Sequence, residues 1–267
     1  MTGRNRNTGT PTRPDALVAL LSGAGFVAAE DEAQELVDCA VLRGEPLGAL
    51  VERRLSGEPL AWITGQTLFC GLEIHVDRGV YVPRWQSEPL ARRAVERLPG
   101  TGIAVDLCTG SGAIATMLAS SRPDARVVAS EIDGRAVKCA AGNGVEVYGG
   151  DLFDPLPPAI TGLVDVVVGV VPYVPTPALP MLPRDTFEFE SELAYDGGPG
   201  GARVLRRVVA ESPSLLRLGG ALLLELGGDQ ADVLTHDLSR FGFRDVTVLE
   251  DEDGDVRGIE ATLGERK

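Results

Sequence analysis

The spacing of apolar positions predicts three short amphipathic helices at the start of the chain. Their apolar stripes are Leu17, Leu20 and Leu21 after Asp15; Leu36, Val37, Ala40 and Val41 after an acidic run; and Leu47, Leu50, Val51 and Leu55 before Gly57. Side chains at such spacings share one helix face. Residues 66–82 alternate instead between apolar and polar positions, which predicts a β-hairpin. We therefore expect a helical domain at 1–65, a hairpin linker at 66–84 and a larger domain at 85–267.

Strand and helix patterns alternate in the larger domain. The strand patterns cover 103–107, 126–131, 145–148, 164–171 and 221–226, and the helical patterns cover 87–98, 112–120, 134–142 and 201–216. This alternation predicts an α/β fold with a doubly wound, Rossmann-like parallel sheet. Two further strand patterns, 243–250 and 255–263, flank the sequence Glu-Asp-Gly-Asp. They predict an antiparallel hairpin at the edge of that sheet.

A glycine-rich turn, VDLCTGSGAIA at 105–115, follows the first strand pattern of this domain. Glycines let a backbone approach a ligand closely, and the following helix start offers N–H groups to negative charge. Gly110, Gly112 and Ala115 match the spacing G-x-G-x-x-A, and Glu131 ends the next strand, where an acid can hold a ribose. This pattern alone fits NAD and S-adenosylmethionine equally.

Two further acids favour S-adenosylmethionine. Asp106 ends the first strand pattern, where it would repel a pyrophosphate but attract the ammonium of S-adenosylmethionine. Asp151 ends the third, where it can accept a hydrogen bond from an adenine amino group, with Leu152 at the adenine edge. The antiparallel terminal hairpin also suits a methyltransferase. A nicotinamide-dependent oxidoreductase remains the alternative for the same glycine turn.

The strand pattern at 164–171 stops at Pro172-Tyr173, within the sequence VVVGVVPYVP. Proline removes a backbone donor and ends a strand. Ligands of open α/β sheets bind at this edge, at the carboxyl ends of the strands. We therefore expect Pro172 and Tyr173 to frame the methyl acceptor.

With these residues in view, the chain resembles the HemK-like protein-glutamine N5-methyltransferases over about residues 30–265. The motifs that carry the resemblance are GEPLAWITG at 57–65, VPRWQSE at 82–88 (commonly I-P-R-x-x-T-E), DLCTGSG at 106–112 (usually D-x-G-T-G-x-G) and FESELAYDGGPGG at 189–201. The sequence P-Y-V-P-T at 172–176 resembles an actinobacterial-type branch. The resemblance implies a class I methyltransferase fold, S-adenosylmethionine as cofactor and a release-factor-like protein as acceptor.

The chain departs from this family at the motif N-P-P-Y, in which asparagine and a backbone carbonyl accept hydrogen bonds from the substrate amide. Val170 and Val171 stand at the first two positions, and Cys108 replaces the first glycine of the cofactor turn. A lost acceptor costs about 1–3 kcal/mol. The acceptor is therefore open to three interpretations: a glutamine amide, a small molecule, or none, in a catalytically retired protein that only binds the cofactor.

These arguments and the resemblance together give a set of candidate site residues. We expect cofactor contacts from Asp106, Leu107, Cys108, Gly110, Gly112, Glu131, Ile132, Asp151, Leu152, Val171 and Arg84, and acceptor contacts from Val170, Pro172 and Tyr173. The two histidines, His75 and His236, lie in no metal-spaced sequence cluster, so we predict no metal. The proline-containing segment 174–200 is expected to form a substrate lid.

Bulk composition adds limits on location and partners. The net charge of −14 argues against a protein that grips nucleic acid through its phosphates. Four widely spaced cysteines indicate reduced thiols. Because no apolar run approaches about 18 residues, we expect no membrane span and a cytoplasmic location.

Overall fold

The computed structural model describes residues 14–182, 188–251 and 253–265. It divides the chain into two compact units, the first ending at Gly65 and the second starting at Gln66. Residues 66–84, predicted as a linker, lie in the second unit. The division into independent domains stays a prediction.

The first unit contains four helices in its described part, residues 14–65. They are α1 (Pro14–Gly23), α2 (Ala29–Arg43), α3 (Leu47–Leu55) and α4 (Leu60–Thr64). The three predicted helices are present, whereas α4 is too short for its periodicity to be read. The placement of Val41 on the buried face was wrong, since it is 80% exposed. The buried stripe of α2 runs instead through Leu36 and Cys39. Arg54 on α3 forms an ion pair with Glu32 on α2.

The second unit opens with the hairpin of β1 (Gln66–Phe69) and β2 (Leu72–His75). The hairpin is confirmed, but it ends seven residues before the predicted limit of 82, counted from His75. Val82 is buried, yet its N–H donates to the Glu190 carboxylate at 2.8 Å instead of to a neighbouring strand. Alternation therefore reflected burial here and not strand pairing.

A seven-stranded sheet forms the centre of the second unit. Its strands are β3 (Ile103–Leu107), β4 (Arg126–Glu131), β5 (Glu146–Gly149), β6 (Val164–Gly169), β7 (Leu216–Glu225), β8 (Phe243–Glu250) and β9 (Val256–Leu263). Their order is β5-β4-β3-β6-β7-β9-β8, parallel from β5 to β7, with β9 antiparallel to β7 and β8 antiparallel to β9. The predicted α/β sheet with an antiparallel terminal hairpin is confirmed.

Five helices accompany this sheet in the described part of the second unit. They are α5 (Glu88–Arg97), α6 (Ala113–Ser121), α7 (Gly134–Gly142), α8 (Arg203–Glu211) and α9 (Gln230–Arg240). The predicted helix 201–216 was too long: Pro213 follows α8 in a short 3-10 turn, and β7 begins at Leu216. Helix α9 was not predicted, although Leu234 and Leu238 are buried on one face of it.

Two apolar cores enclose the sheet, one on each face. Val105 and Val167 belong to one core, and Val166 and Val168 to the other. Strand β6 is buried along its whole length and ends at Gly169, two residues before the predicted limit. Its carboxyl end therefore lies beside those of β3 and β7, where side chains after the strands converge. Within the described residues, none of the helices combines the length and apolar character that membrane crossing requires.

Candidate active site

Two neighbouring cavities lie at the carboxyl ends of the parallel strands. The main cavity has a volume of about 340 Å³, and the small cavity one of about 40 Å³. Of the predicted site residues, the main cavity is lined by Cys108, Gly110, Glu131, Ile132, Asp151, Leu152, Val170 and Pro172. The small cavity is lined by Arg84, Asp106, Cys108 and Val170. Leu107, Gly112, Val171 and Tyr173 border neither cavity.

The glycine turn between β3 and α6 has two glycines in the left-handed region. Gly112 has φ +86°, and a Cβ there would lie 2.8 Å from Val145 Cγ2 and 3.2 Å from Ala140 Cβ. Glycine at this position therefore allows α6 to pack closely against α7. Gly110 has φ +59°, and its N–H donates to Glu131 Oε2 at 2.9 Å. The turn is thus tied to the end of the neighbouring strand β4.

Glu131 is a buried carboxylate in the wall of the main cavity. Besides the Gly110 N–H, it accepts the Asp133 N–H on Oε1 at 2.9 Å. Burial raises the pKa of Glu131, and these backbone hydrogen bonds oppose that shift. Because each carboxylate oxygen can accept more than one hydrogen bond, Glu131 can still bind hydroxyl donors from the cavity.

Asp106 is an almost fully buried acid beside the small cavity. Its Oδ2 accepts the Thr109 hydroxyl at 2.5 Å and the Ala115 N–H at 3.1 Å. Burial raises the pKa of Asp106 to about 7, against the lowering effect of these two hydrogen bonds. A buried carboxylate without a cationic partner in the described residues is suited to a ligand that carries a positive charge.

Asp151 lies at a more open part of the main cavity, after β5. Both of its carboxylate oxygens accept from Arg207 Nη1, at 3.1 and 2.9 Å. The two side chains are 45% and 42% exposed, so water screens this ion pair. The next residue, Leu152, has φ +46° and is buried against the cavity wall.

The end of β6 forms the apolar side of the site. Val170 borders both cavities, and Pro172 borders the main one. Tyr173 turns away from both: its hydroxyl donates to the buried Glu225 at 2.9 Å, and its carbonyl accepts from Gln230 Nε2 at 2.7 Å. The contact of Tyr173 with the acceptor stays a prediction.

Several residues that line the cavities were absent from the predicted set, among them Tyr81, Ser111 and Ser130. Tyr81 borders both cavities, and its ring lies 5.6 Å from the Tyr195 ring. Ser111 borders the small cavity and Ser130 the main one; the hydroxyls of both are buried without a hydrogen-bond partner among the described residues. Two of these residues had a signal in the sequence, because Tyr81 directly precedes the VPRWQSE motif and Ser111 lies within DLCTGSG. Buried polar atoms of this kind call for a polar ligand.

Part of the predicted lid borders the main cavity. Ser191, Leu193 and Ala194 line it, whereas residues 183–187 lie outside the described part of the chain. The buried Glu190 holds this segment: its Oε2 accepts from Arg84 at 2.7 Å and from the Tyr195 hydroxyl. Arg84, predicted to bind cofactor, thus pairs with the lid at the edge of the small cavity. Lid movement stays a prediction.

One group of metal-ligand type lies away from these cavities. The ligand atoms of His75, Asp77 and Cys139 lie within 4.8 Å of one another. The sequence did not indicate this group, because Cys139 is distant along the chain. The Cys139 thiol is buried and hydrogen-bonded to the backbone of the other two residues, and burial raises its pKa.

Comparison with known proteins gives close sequence relatives. No protein-family model matches the chain. A release factor glutamine methyltransferase of Geobacter sulfurreducens is 36% identical over 221 residues, which cover 80% of this chain and 77% of that protein. The enzyme of the same name from Mycolicibacterium smegmatis is 38% identical, over 80% of this chain and 78% of that protein.

Solved structures support the fold at lower identity. A methyltransferase of Pyrococcus furiosus has a TM-score of 0.54 and 19% identity, and the match covers 80% of this chain and 98% of that one. A ribosomal protein L11 methylase of Lactobacillus delbrueckii has a TM-score of 0.51 and 17% identity, covering 72% and 86%. The fold and the sequence relatives together make the chain a member of the release factor glutamine methyltransferase family and an S-adenosylmethionine-dependent methyltransferase.

Proposed function

We propose that this chain methylates the side-chain amide nitrogen of a glutamine in a translation release factor. The observation that carries the proposal is a single cavity that joins Glu131 and Asp151, on the predicted cofactor side, to Val170 and Pro172 at the end of β6. The sequence identity to enzymes that are named release factor glutamine methyltransferase supplies the class of acceptor.

The two cavities would hold different parts of S-adenosylmethionine. The main cavity has the volume of a small-ligand pocket and offers Glu131 to the ribose hydroxyls and Asp151 to the adenine amino group. The small cavity offers Asp106 to the ammonium group. The unpartnered hydroxyls of Ser130 and Ser111 lie on these two sides and support a polar ligand spanning both.

The protein's part in the reaction is binding and orientation. When bound, S-adenosylmethionine supplies a methyl group on a positively charged sulfur. Glu131 and Asp106 would fix its two ends, so that the acceptor nitrogen meets the methyl group in one orientation. Leu193 and Ala194 of the lid segment would exclude water from the main cavity.

Val170 restricts how the acceptor amide can be held. Its side chain cannot accept a hydrogen bond, so backbone carbonyl groups after β6 and the walls of the cavity would have to orient the amide. This same observation favours a second candidate function, methylation of a different acceptor that fits an apolar wall. The missing side-chain acceptor corresponds to about 1–3 kcal/mol, which is enough to change acceptor preference.

Mass spectrometry on recombinant, unmethylated release factor tests the proposal. We expect wild-type protein with S-adenosylmethionine to add one methyl group to a single glutamine, and Val170→Asn to match or modestly exceed that rate. Methylation by Val170→Asn alone would favour the second candidate. No transfer by either variant, with S-adenosylmethionine bound, would contradict glutamine methylation.

The matched control is Glu146→Ala. Glu146 begins β5, pairs with Arg126 on the surface and borders neither cavity. This variant changes the charge by the same amount as a cavity acid variant and should methylate as the wild type does. Glu131→Ala under the same conditions should lose most activity.

A further inference from the structure

Three described residues, Tyr81, Cys108 and Val170, border both cavities. They therefore lie where the main and small cavities adjoin, and this boundary is called the constriction below. We propose that Cys108 and Val170 make this constriction a size filter that admits a methyl sulfonium and excludes donors with a larger alkyl group on sulfur. The proposal rests on the placement of S-adenosylmethionine across both cavities under the proposed function.

The backbone of Cys108 supports a specific role for its side chain. Cys108 has φ +54°, a left-handed conformation that favours glycine. Side chains in such a strained conformation cluster at functional sites, where the surroundings hold them in place. At the constriction, the CH₂–SH group occupies space that a glycine would leave open.

Charge is not the property that Cys108 contributes. Burial raises the pKa of its thiol, and the neighbouring carboxylates Glu131 and Asp106 raise it further. The thiol is thus neutral at physiological pH and faces the donor as a small apolar group. Its effect on a ligand comes from its volume.

The remaining walls of the constriction have little freedom to retreat. Val170 packs against the apolar core that contains Val168, and a β-branched side chain has restricted χ1 rotation. The centroid of the Tyr81 ring lies 5.6 Å from that of the Tyr195 ring and 5.4 Å from the Arg84 guanidinium. Close-packed walls resist an added methylene group.

Isothermal titration with S-adenosylmethionine and S-adenosylethionine tests the filter. We expect wild-type protein to bind the ethyl compound at least about tenfold more weakly, the usual lower bound for one extra methylene in a fitted pocket. Cys108→Gly and Val170→Ala should each reduce that ratio to about threefold or less, because each variant removes volume at the constriction. Thermal melting of both variants checks that they are folded.

Three controls separate volume from other effects. Val170→Thr keeps the side-chain volume and should keep the wild-type ratio of the two dissociation constants, whereas Cys108→Ser removes part of the volume and should lower the ratio less than Cys108→Gly does. Leu193→Ala removes volume from the wall of the main cavity only, and should also keep that ratio.

Equal binding of the two compounds by wild-type protein would overturn the filter. An equal fall of the ratio in Val170→Thr and in Val170→Ala would overturn it as well. Because the titration needs no acceptor, it is independent of whether the release factor is methylated. A negative release-factor assay with a tenfold binding ratio would reject the proposed acceptor and leave the filter standing.

Discussion

The proposed donor side, which contains Asp106 and Glu131, and the proposed acceptor side, which contains Val170, Pro172 and Tyr173, are built in different ways. On the donor side, Glu131 accepts the N–H of Gly110, 21 residues away, and Asp106 accepts the N–H of Ala115, nine residues away. On the acceptor side, Tyr173 contacts Glu225 and Gln230, which are 52 and 57 residues away. Contacts within a motif make the donor side readable in the sequence, whereas the acceptor side depends on where β7 and α9 pack.

The two sides also differ in polarity. Buried acids occupy the ends of β3 and β4, while Val170 and Pro172 form an apolar wall after β6. A buried carboxylate is costly unless a ligand or hydrogen-bond donors stabilise it, so it marks a polar ligand. An apolar wall does not indicate the chemistry of its ligand in this way, so the acceptor is harder to infer than the donor.

The largest expected effect is the loss of S-adenosylmethionine binding in Glu131→Ala. The change removes the proposed ribose ligand and the acceptor of the Gly110 and Asp133 N–H groups, so affinity should fall about 100-fold. Isothermal titration measures it, with Glu146→Ala as the charge-matched control. Equal affinities of Glu131→Ala and wild type would remove Glu131 from the donor side.

The second effect is a pH dependence of S-adenosylmethionine binding through Asp106. Burial raises the pKa of Asp106 to about 7, and only the ionised carboxylate attracts an ammonium group. Affinity should therefore rise about tenfold from about pH 6 to pH 8 and level off above that range. Titrations at several pH values measure the slope. Asp106→Asn should bind more weakly and without this slope; the same slope in that variant would assign the titration to another group.

The third effect concerns the acceptor side alone. Tyr173→Phe removes the donor to Glu225 and leaves a buried carboxylate short of one hydrogen bond, which should lower the free energy of unfolding by about 1 kcal/mol. Urea denaturation measures this, and S-adenosylmethionine affinity should stay within about twofold.

Tyr148→Phe is the matched control for that change. Its hydroxyl donates to Glu146 at 2.6 Å on the exposed end of β5, where water can replace the lost contact. The free energy of unfolding should change by less than about 0.5 kcal/mol. An equal loss in both variants would contradict the structural role given to Tyr173.

The smallest effect is expected at the exposed rim of the donor side. Arg207→Met removes the partner of Asp151 in an ion pair that water screens, so S-adenosylmethionine affinity should change by about twofold or less. Titration of Arg207→Met and of Glu131→Ala with S-adenosylmethionine compares the exposed acid Asp151 with the buried acid Glu131 of the same cavity. A tenfold change in Arg207→Met would show that this pair holds Asp151 for the ligand.

Sequence patterns predicted the sheet well and the lengths of some elements less well. Strands β3 and β4 have the predicted bounds, since a short apolar run between turn residues allows one alignment. Val41 has the spacing of a buried residue but is 80% exposed, because other residues of α2 make the contact with the core. The alternation that extended the hairpin to 82 came from buried residues in a segment without strand pairing.

The sequence by itself determined the alternating α/β order, the glycine turn and the acids at the ends of β3, β4 and β5. These features rest on local periodicity, on left-handed glycines and on strand ends, all of which involve neighbours along the chain. Only the tertiary structure decided that Tyr81, Cys108 and Val170 meet between two cavities, and that Tyr173 turns towards Glu225. Such contacts join distant segments, and their geometry follows from the packing of whole helices and strands, which no local pattern records.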